Sequence, residues 1–407
     1  MKLIVSCFSC SPTRGSEPGM GWGYLRAIAQ DHDIWALVDG WEFGEELRKY
    51  QAEHPEELRR VHFIFVPCKP HPLLRRIWPP SYYWFYNLWH RRAFKIAQRL
   101  HEEVHFDAAW KLSMVTYREP GYLWKLPIPF VWGPVGALGY TDRRLFPLLG
   151  WRGKMEYSVR NVINWWQSHF LVRPRRAAQK AAATRTLFAA TGENLREMKR
   201  LWGVDSEVLC EIGLRELPSV QMRDDDECLK IFWSGVFERR KALPLLLMAL
   251  SCFEGRWTLD VVGDGPMRRS WMSLSDKLRL AKHVTWHGWR PRREALTVLQ
   301  RANVAVVTSL HDLTSTVLVE ALAYGKPVVC LRHCGFADAV DETCGIPIAI
   351  DRSEDMVNAF TEALLRLKDP ALRKELSRGA RKRAEMYVWK NKMKRLHGII
   401  ERIFGHA

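Results

Sequence analysis

Two acidic residues eight positions apart, Asp312 and Glu320, carry the most chemistry in this chain. They lie in the run Val304–Pro327, where a buried strand ends at Ser309, a polar loop follows, and a helix starting near Thr314 or Ser315 is stopped at Gly325 with Pro327 beyond. The spacing puts Asp312 in the loop and Glu320 about a turn and a half into the helix. Backbone N–H groups of Thr314, Ser315, Thr316 and Val317 then point between the two carboxylates. Carboxylates grip sugar and ribose hydroxyls, and a helix N-terminus takes a diphosphate. The pattern reads as a pocket for a nucleotide sugar.

A second candidate follows the first strand. Ser11–Trp22 contains Gly15, Gly19 and Gly21 and leads into a helix, so backbone N–H groups there can approach an anion. The spacing is not that of a dinucleotide fingerprint, and a merely tight turn between strand and helix is the weaker alternative. Cys330, His333, Cys334 and Cys344 include zinc-type ligands, but at irregular spacing and with Cys330 inside a strand, so no metal site is expected. Asp224-Asp225-Asp226-Glu227 ends no strand and has no nearby histidine. It reads as a solvated linker.

The elements that must position these residues alternate in type. Strand-like runs at Leu3–Cys7, Ile34–Val38, His62–Val66, Asp107–Trp110, Pro129–Trp132 and Leu187–Ala190 are separated by helical stretches. The alternation restarts at Lys230–Trp233 and continues through Thr258–Val262, Val284–Trp286, Val304–Thr308, Val328–Leu331 and Ile346–Ile350. Two doubly wound parallel sheets are predicted, α/β in class, with ligands beyond the carboxyl ends of the strands. The length of 407 residues suits two domains. We place an N-terminal Rossmann-like domain at 1–213, a linker at 214–228, a C-terminal Rossmann-like domain at 229–388 and a closing helix at 389–407.

Composition narrows the function classes. With 47% hydrophobic and 26% charged residues and no apolar run near eighteen, the chain does not read as integral to a bilayer. The first residues are too quickly polar for a signal peptide, so the mature protein is expected to begin at Met1. Nine cysteines without regular spacing fit a reducing cytoplasm. The net charge of +17 points to an anionic partner: nucleic acid, anionic lipid or a phosphorylated substrate. Pro72–Arg92 packs aromatic residues between arginine pairs. It reads either as a segment lying on an anionic membrane surface or as a core helix with a basic outer face.

Further motifs make a resemblance specific. Acid-x7-acid followed by Ala321-Leu322-Ala323-Tyr324-Gly325-Lys326-Pro327-Val328-Val329 resembles the signature of family 4 glycosyltransferases of the GT-B fold. Gly235 with Arg239-Arg240-Lys241, the turn Val262-Gly263-Asp264-Gly265-Pro266, His287-Gly288-Trp289 and Trp389-Lys390 resemble other motifs of that family. Gly15–Trp22, Arg118–Trp124 and Trp132–Gly136 are similar to its polysaccharide-building branch. The resemblance implies two Rossmann-like domains facing a cleft, with the last helix packing back on the N-terminal domain. It also implies that the C-terminal domain holds the donor and the N-terminal domain the acceptor.

By that resemblance Glu320 binds the donor ribose, Asp312 sits near the transferred sugar, and Lys241 with Arg240 or Arg239 neutralises the leaving diphosphate. Gly15, Gly19, Gly21, Gly235, Gly263, Trp289, Thr314, Ser315 and Thr316 complete the donor site. Glu17 and Lys111 are the sugar or acceptor contacts. Lys111 falls at a strand end where relatives carry histidine, and Val236 stands where they carry arginine. The implied reaction is retaining transfer, without metal or cofactor, from a nucleotide sugar to a glycan or polyprenyl-linked acceptor. It would run in the cytoplasm or on the inner face of the cytoplasmic membrane, in surface polysaccharide synthesis. A non-catalytic subunit of the same fold, a sugar-nucleotide epimerase and a basic nucleic-acid-binding protein remain alternatives, although no helix-turn-helix, zinc-finger or RNP pattern is present.

Overall fold

The structure is a computed structural model that describes residues 1–69, 73, 77, 81–220 and 228–404, with side chains to residue 398. The chain divides into two compact units, one made of Met1–Leu138, Trp166–Arg215 and Trp389–Ala407, the other of Gly139–Trp165 and Glu216–Val388. All twelve strands expected from the sequence are present, together with one more.

In the first unit the strands are β1 (Lys2–Cys7), β2 (Asp33–Asp39), β3 (Val61–Val66), β4 (Ala108–Ser113), β5 (Phe130–Val135), β6 (Leu187–Ala189) and β7 (Glu207–Val208). They form a parallel sheet in the order β3-β2-β1-β4-β5-β6-β7. Side chains alternate across it: Leu3, Val5 and Cys7 enter the core on one face, Ile4 on the other. Burial on both faces is why these strands read as near-continuous apolar runs.

The second sheet is also parallel, in the order β10-β9-β8-β11-β12-β13. Its strands are β8 (Leu229–Ser234), β9 (Trp257–Val262), β10 (Val284–Gly288), β11 (Val304–Val307), β12 (Val328–Leu331) and β13 (Gly345–Ile348). Strand order reverses between β1 and β4 in one sheet and between β8 and β11 in the other. Chain crossovers leave opposite faces at such a point, which opens a crevice at the carboxyl ends of the strands.

Two features depart from the expected division. Residues 139–165, placed with the N-terminal domain by their position in the sequence, pack on the second unit. Their short turn Arg143–Leu149 contributes Leu145, Phe146 and Leu149 to that unit's core, so burial overrides sequence proximity. The linker is also narrower than 214–228, because Leu214 and Arg215 belong to the first unit. The run Asp224–Glu227 lies outside the described residues.

The closing helix Trp389–Phe404 does belong to the first unit. Its Trp389 ring fills a slot where Gly23 and Gly213 present no side chain, and it meets Tyr24 edge-on at 4.7 Å. Lys392 is buried there, donating to the carbonyls of Cys210 and Ile212, both at 2.7 Å. Burial lowers its pKa to about 8. The aromatic stretch before Arg92 divides. From Ser81 it is a helix, Ser81–Val104, burying Tyr86, Trp89 and His90, whereas most of 70–80 lies outside the described residues.

Candidate active site

The second unit gathers its charged residues at the β8/β11 reversal. After β8 the chain runs through Gly235 to the short turn Arg239–Lys241. After β11 it forms the loop 308–315 and enters the helix Thr316–Ala323. The two loops are stitched together: the Leu310 N–H donates to the Arg240 carbonyl at 2.7 Å, and the Thr308 hydroxyl donates to the Lys241 carbonyl at 2.6 Å. Trp233 in turn donates its indole N–H to the Thr308 hydroxyl at 2.9 Å.

This stitching brings Lys241 Nζ to 2.5 Å from Asp312 Oδ2, with Arg240 Nη1 at 3.5 Å from the same oxygen. Burial alone would raise the Asp312 carboxyl. The Lys241 ammonium, assisted by Arg240, overrides it and holds the group below its ordinary range. Asp312 is therefore ionised at neutral pH, with two cations on one side of it. Oδ1 accepts from the Leu313 N–H at 3.2 Å.

Glu320 lies in the helix that follows and is only 8% exposed. Burial raises its carboxyl, partly offset by Arg292, whose Nε donates to Oε1 at 2.5 Å. The Arg292 side chain is itself well exposed, whereas Glu320 is not. Thr314 and Ser315 are buried ahead of Thr316, and the N-cap Ser315 makes no side-chain cap bond. The first-turn N–H groups of this helix lack intrahelical partners, as at any helix start, and suit an anion.

Behind the cations two backbone turns meet. Gly263 has φ 137°, and any Cβ there would overlap the Gly235 carbonyl oxygen, so the position admits only glycine. Beyond β10, Trp289 is 72% exposed and offers a bare ring for stacking. His333 contacts the Ser309 carbonyl through Nε2 at 2.8 Å, and the Gly335 N–H donates to the Leu313 carbonyl, so the loop after β12 backs the Asp312 loop. His311 lies 3.3 Å from the Thr141 hydroxyl, and burial lowers its pKa to about 4.

Arg239 departs from the role it shares with Arg240 in the sequence reading. Only Arg240 reaches Asp312; Arg239 lines a cavity of about 440 Å3 together with Leu149, Trp151, Arg152 and Trp271. Consecutive residues of a tight turn point in different directions, which the sequence does not resolve.

In the first unit the glycine-rich loop opens the helix Ser16–Ile28. A Cβ at Gly21 would overlap the Ser9 carbonyl oxygen, so this glycine permits loop and helix to touch. Gly19 meets the Arg14 carbonyl in the same way, while the space around Gly15 is open. Glu17 is turned inward: its Oε1 accepts from the Val115 N–H, and burial raises its pKa against the pull of Lys111.

Lys111 is 1% exposed within β4, with Nζ donating to the Ser113 carbonyl at 2.6 Å and to that of Met114 at 3.3 Å. Burial lowers its pKa to about 8. Its ammonium thus pins the backbone after β4, where an open contact to a sugar was expected. Sequence reasoning missed the groups around it. Glu119 accepts from Arg173 and from Asn87, both at 2.6 Å, and His90 is fully buried with Nε2 unpartnered. Asp39, at the end of β2, accepts from the N–H groups of Trp41 and Cys68 and shapes its own loop. Among the described residues no three His, Cys, Asp or Glu side chains cluster as a metal site.

Residues 220–383 match the family model described as glycosyl transferases group 1. Among curated relatives, the lipopolysaccharide core biosynthesis glycosyltransferase LpsD of Rhizobium meliloti (strain 1021) is 29% identical over 200 residues, 48% of this chain. The match takes in 57% of that relative's length. Sucrose-phosphate synthase from Thermosynechococcus elongatus superposes with a TM-score of 0.64 at 16% identity over 100% of both chains. Anabaena HepE, solved in complex with UDP, does so with 0.62 at 13% identity over 98% of this chain and 99% of its own. At such identities the structural likeness is one of fold. Residues 220–383 are thus similar to the glycosyl transferases group 1, within a chain that has the GT-B fold of these solved structures.

Proposed function

We propose that this protein is a glycosyltransferase that moves a sugar from a nucleotide-sugar donor to a glycan or polyprenyl-linked acceptor in surface polysaccharide or lipopolysaccharide synthesis. The observation that carries the reading is the placement of Lys241, Arg240 and Asp312 at the β8/β11 reversal, just ahead of the helix that bears Glu320. In this reading the diphosphate lies between the two cations and the N–H groups of Thr314, Ser315 and Thr316. Glu320 exchanges Arg292 for the ribose hydroxyls, and Trp289 stacks on the base.

As the bond between the anomeric carbon and the diphosphate oxygen breaks, negative charge grows on that oxygen. Lys241 and Arg240 stabilise it without a metal ion. The acceptor oxygen bonds to the anomeric carbon with retention of configuration, and its proton passes to the departing diphosphate. LpsD supports a lipopolysaccharide acceptor by its name, and HepE makes UDP the first nucleotide to test. An acceptor carried on lipid, together with a net charge of +17, supports peripheral contact with the inner face of the cytoplasmic membrane. Among the described residues no helix is long and apolar enough to cross a membrane.

The test is thermal shift with UDP, GDP, ADP and their common sugar conjugates, on wild type and Glu320→Ala, without and with EDTA. A shift for one nucleotide, insensitive to EDTA and abolished by Glu320→Ala, is expected. If no nucleotide shifts the wild type, the site is not a donor site and the reading fails. Selective binding without transfer to any lipid-linked acceptor would leave the non-catalytic subunit.

A further inference from the structure

The helix Gly150–Phe170 wears its apolar side outward. Trp151, Met155, Val159 and Val162, at successive intervals of four, four and three residues, lie on one helical face and are 57–69% exposed. Ile163 and Trp165 flank them and are also exposed. The side turned to the protein carries one core aromatic residue, Tyr157, among small and polar ones. Gly153 and Tyr157 are buried, Asn161 exchanges hydrogen bonds with both the N–H and the carbonyl of Thr141, and Asn164 donates to the Gly139 carbonyl at 3.1 Å. Helices of water-soluble domains are patterned the other way round.

Such an inversion costs solubility unless something apolar covers the stripe. The flanks identify what does. Arg152, Lys154 and Arg160 are exposed beside the stripe, and the helix follows Arg143 and Arg144 in a chain of net charge +17. Arg160 and Arg144 have local acidic partners in Glu156 and Asp142. A second copy of the chain would carry the same net charge of +17, which opposes self-association, whereas an anionic surface complements it. Tryptophan and branched apolar side chains edged by basic residues instead suit the headgroup boundary of an anionic bilayer. Residues 150–165 extend about 24 Å, enough to lie along the surface as a rail.

We infer that this stripe is the membrane-docking surface of the protein, seated among the headgroups of an anionic bilayer with Arg152 and Lys154 on lipid phosphates. The assignment deepens the peripheral-membrane part of the proposed function and rests on it. The cavity lined by Leu149, Trp151 and Trp271 adjoins the start of the stripe, so Trp151 belongs to both.

Sedimentation with phosphatidylcholine vesicles, with and without phosphatidylglycerol, tests it. Wild type is expected to pellet with the anionic vesicles, less so at high salt. Val159→Glu/Val162→Glu should lower the partition by about tenfold or more, as loss of two buried apolar side chains requires. Arg152→Glu/Lys154→Glu should abolish the preference for phosphatidylglycerol. These positions are exposed, so both variants should keep the wild-type melting temperature and nucleotide response. Should the first variant unfold, the charge reversal decides alone. Wild type left in the supernatant with anionic vesicles, or both variants pelleting like wild type, overturns the assignment. So does a wild-type dimer that the glutamates dissociate while no form pellets. Vesicle binding without any nucleotide response would sink the donor site and leave the docking surface standing.

Discussion

Replacing Lys241 by Met removes the cation 2.5 Å from Asp312 while keeping the length of the stem. Asp312 is then a largely buried carboxylate with Arg240 as its remaining cation, at 3.5 Å. Breaking a buried pair from one side costs about 3–5 kcal/mol, and the residual Arg240 contact places this site near the lower end, about 3 kcal/mol at pH 7. The sign against pH follows from the carboxyl. In wild type its folded pKa is depressed, so the pair contributes stability above the unfolded value near 4 and loses it as pH falls through the folded value. In Lys241→Met the opposing burial effect dominates and the folded pKa rises, so acid relieves the variant. The gap between the two proteins in urea unfolding should therefore be widest at pH 7 and shrink toward pH 4. Lys241→Met/Asp312→Asn should recover most of the lost stability, because no charge remains to be stranded. Sugar transfer should stay depressed by about 100- to 1,000-fold in both variants, the loss expected when a group that stabilises developing charge is removed. A gap that does not change with pH, or a double variant as unstable as the single, would refute the electrostatic account. Transfer restored in the double variant would show that neither the Lys241 nor the Asp312 charge takes part in transfer.

Two further predictions concern the scaffold. Gly263→Ala must both strain a backbone at φ 137° and push the Gly235 carbonyl away, so a loss of at least about 2 kcal/mol in urea unfolding is expected together with loss of the nucleotide-induced thermal shift. Lys392 has a folded pKa of about 8 against the ordinary 10.5, so its buried charge is a penalty that is fully present below pH 8 and relieved as pH rises. Wild type should gain stability relative to Lys392→Met between pH 8 and pH 10.5; parallel pH profiles would refute this.

Strand alternation was legible because both sheets are buried on both faces, which writes a strand as a run of apolar residues. Only β7 escaped it, since two residues at a sheet edge cannot make a pattern. Asp312 and Lys241 were assigned to one donor site through the family resemblance; the structure makes them an ion pair because each follows a strand at the reversal of the second sheet. Their neighbours could not. Arg292 is 28 positions from Glu320 and lies on another helix, so nothing local announces the ion pair. Lys111 misled for a physical reason: a lysine at the end of a strand usually reaches water, but here Tyr86 of the helix Ser81–Val104 lies against its ammonium, with His90, Glu17 and Glu119 near it. The excursion of 139–165 was hidden for a similar reason, since contacts made far along the chain decide it.

The way the chain is shared between the units bears on how it can be made. Neither unit is a contiguous piece: the first is closed by Trp389, which enters the Gly23–Gly213 slot, and the second needs Leu145, Phe146 and Leu149 from the earlier half. During synthesis the opening sheet must therefore wait, with that slot unfilled, until nearly four hundred residues have left the ribosome. Cutting the gene at residue 215 would yield an amino-terminal product without its closing helix and a carboxy-terminal product without part of its core. Pieces cut at such a boundary should fold poorly when expressed separately and recover when produced together in one cell.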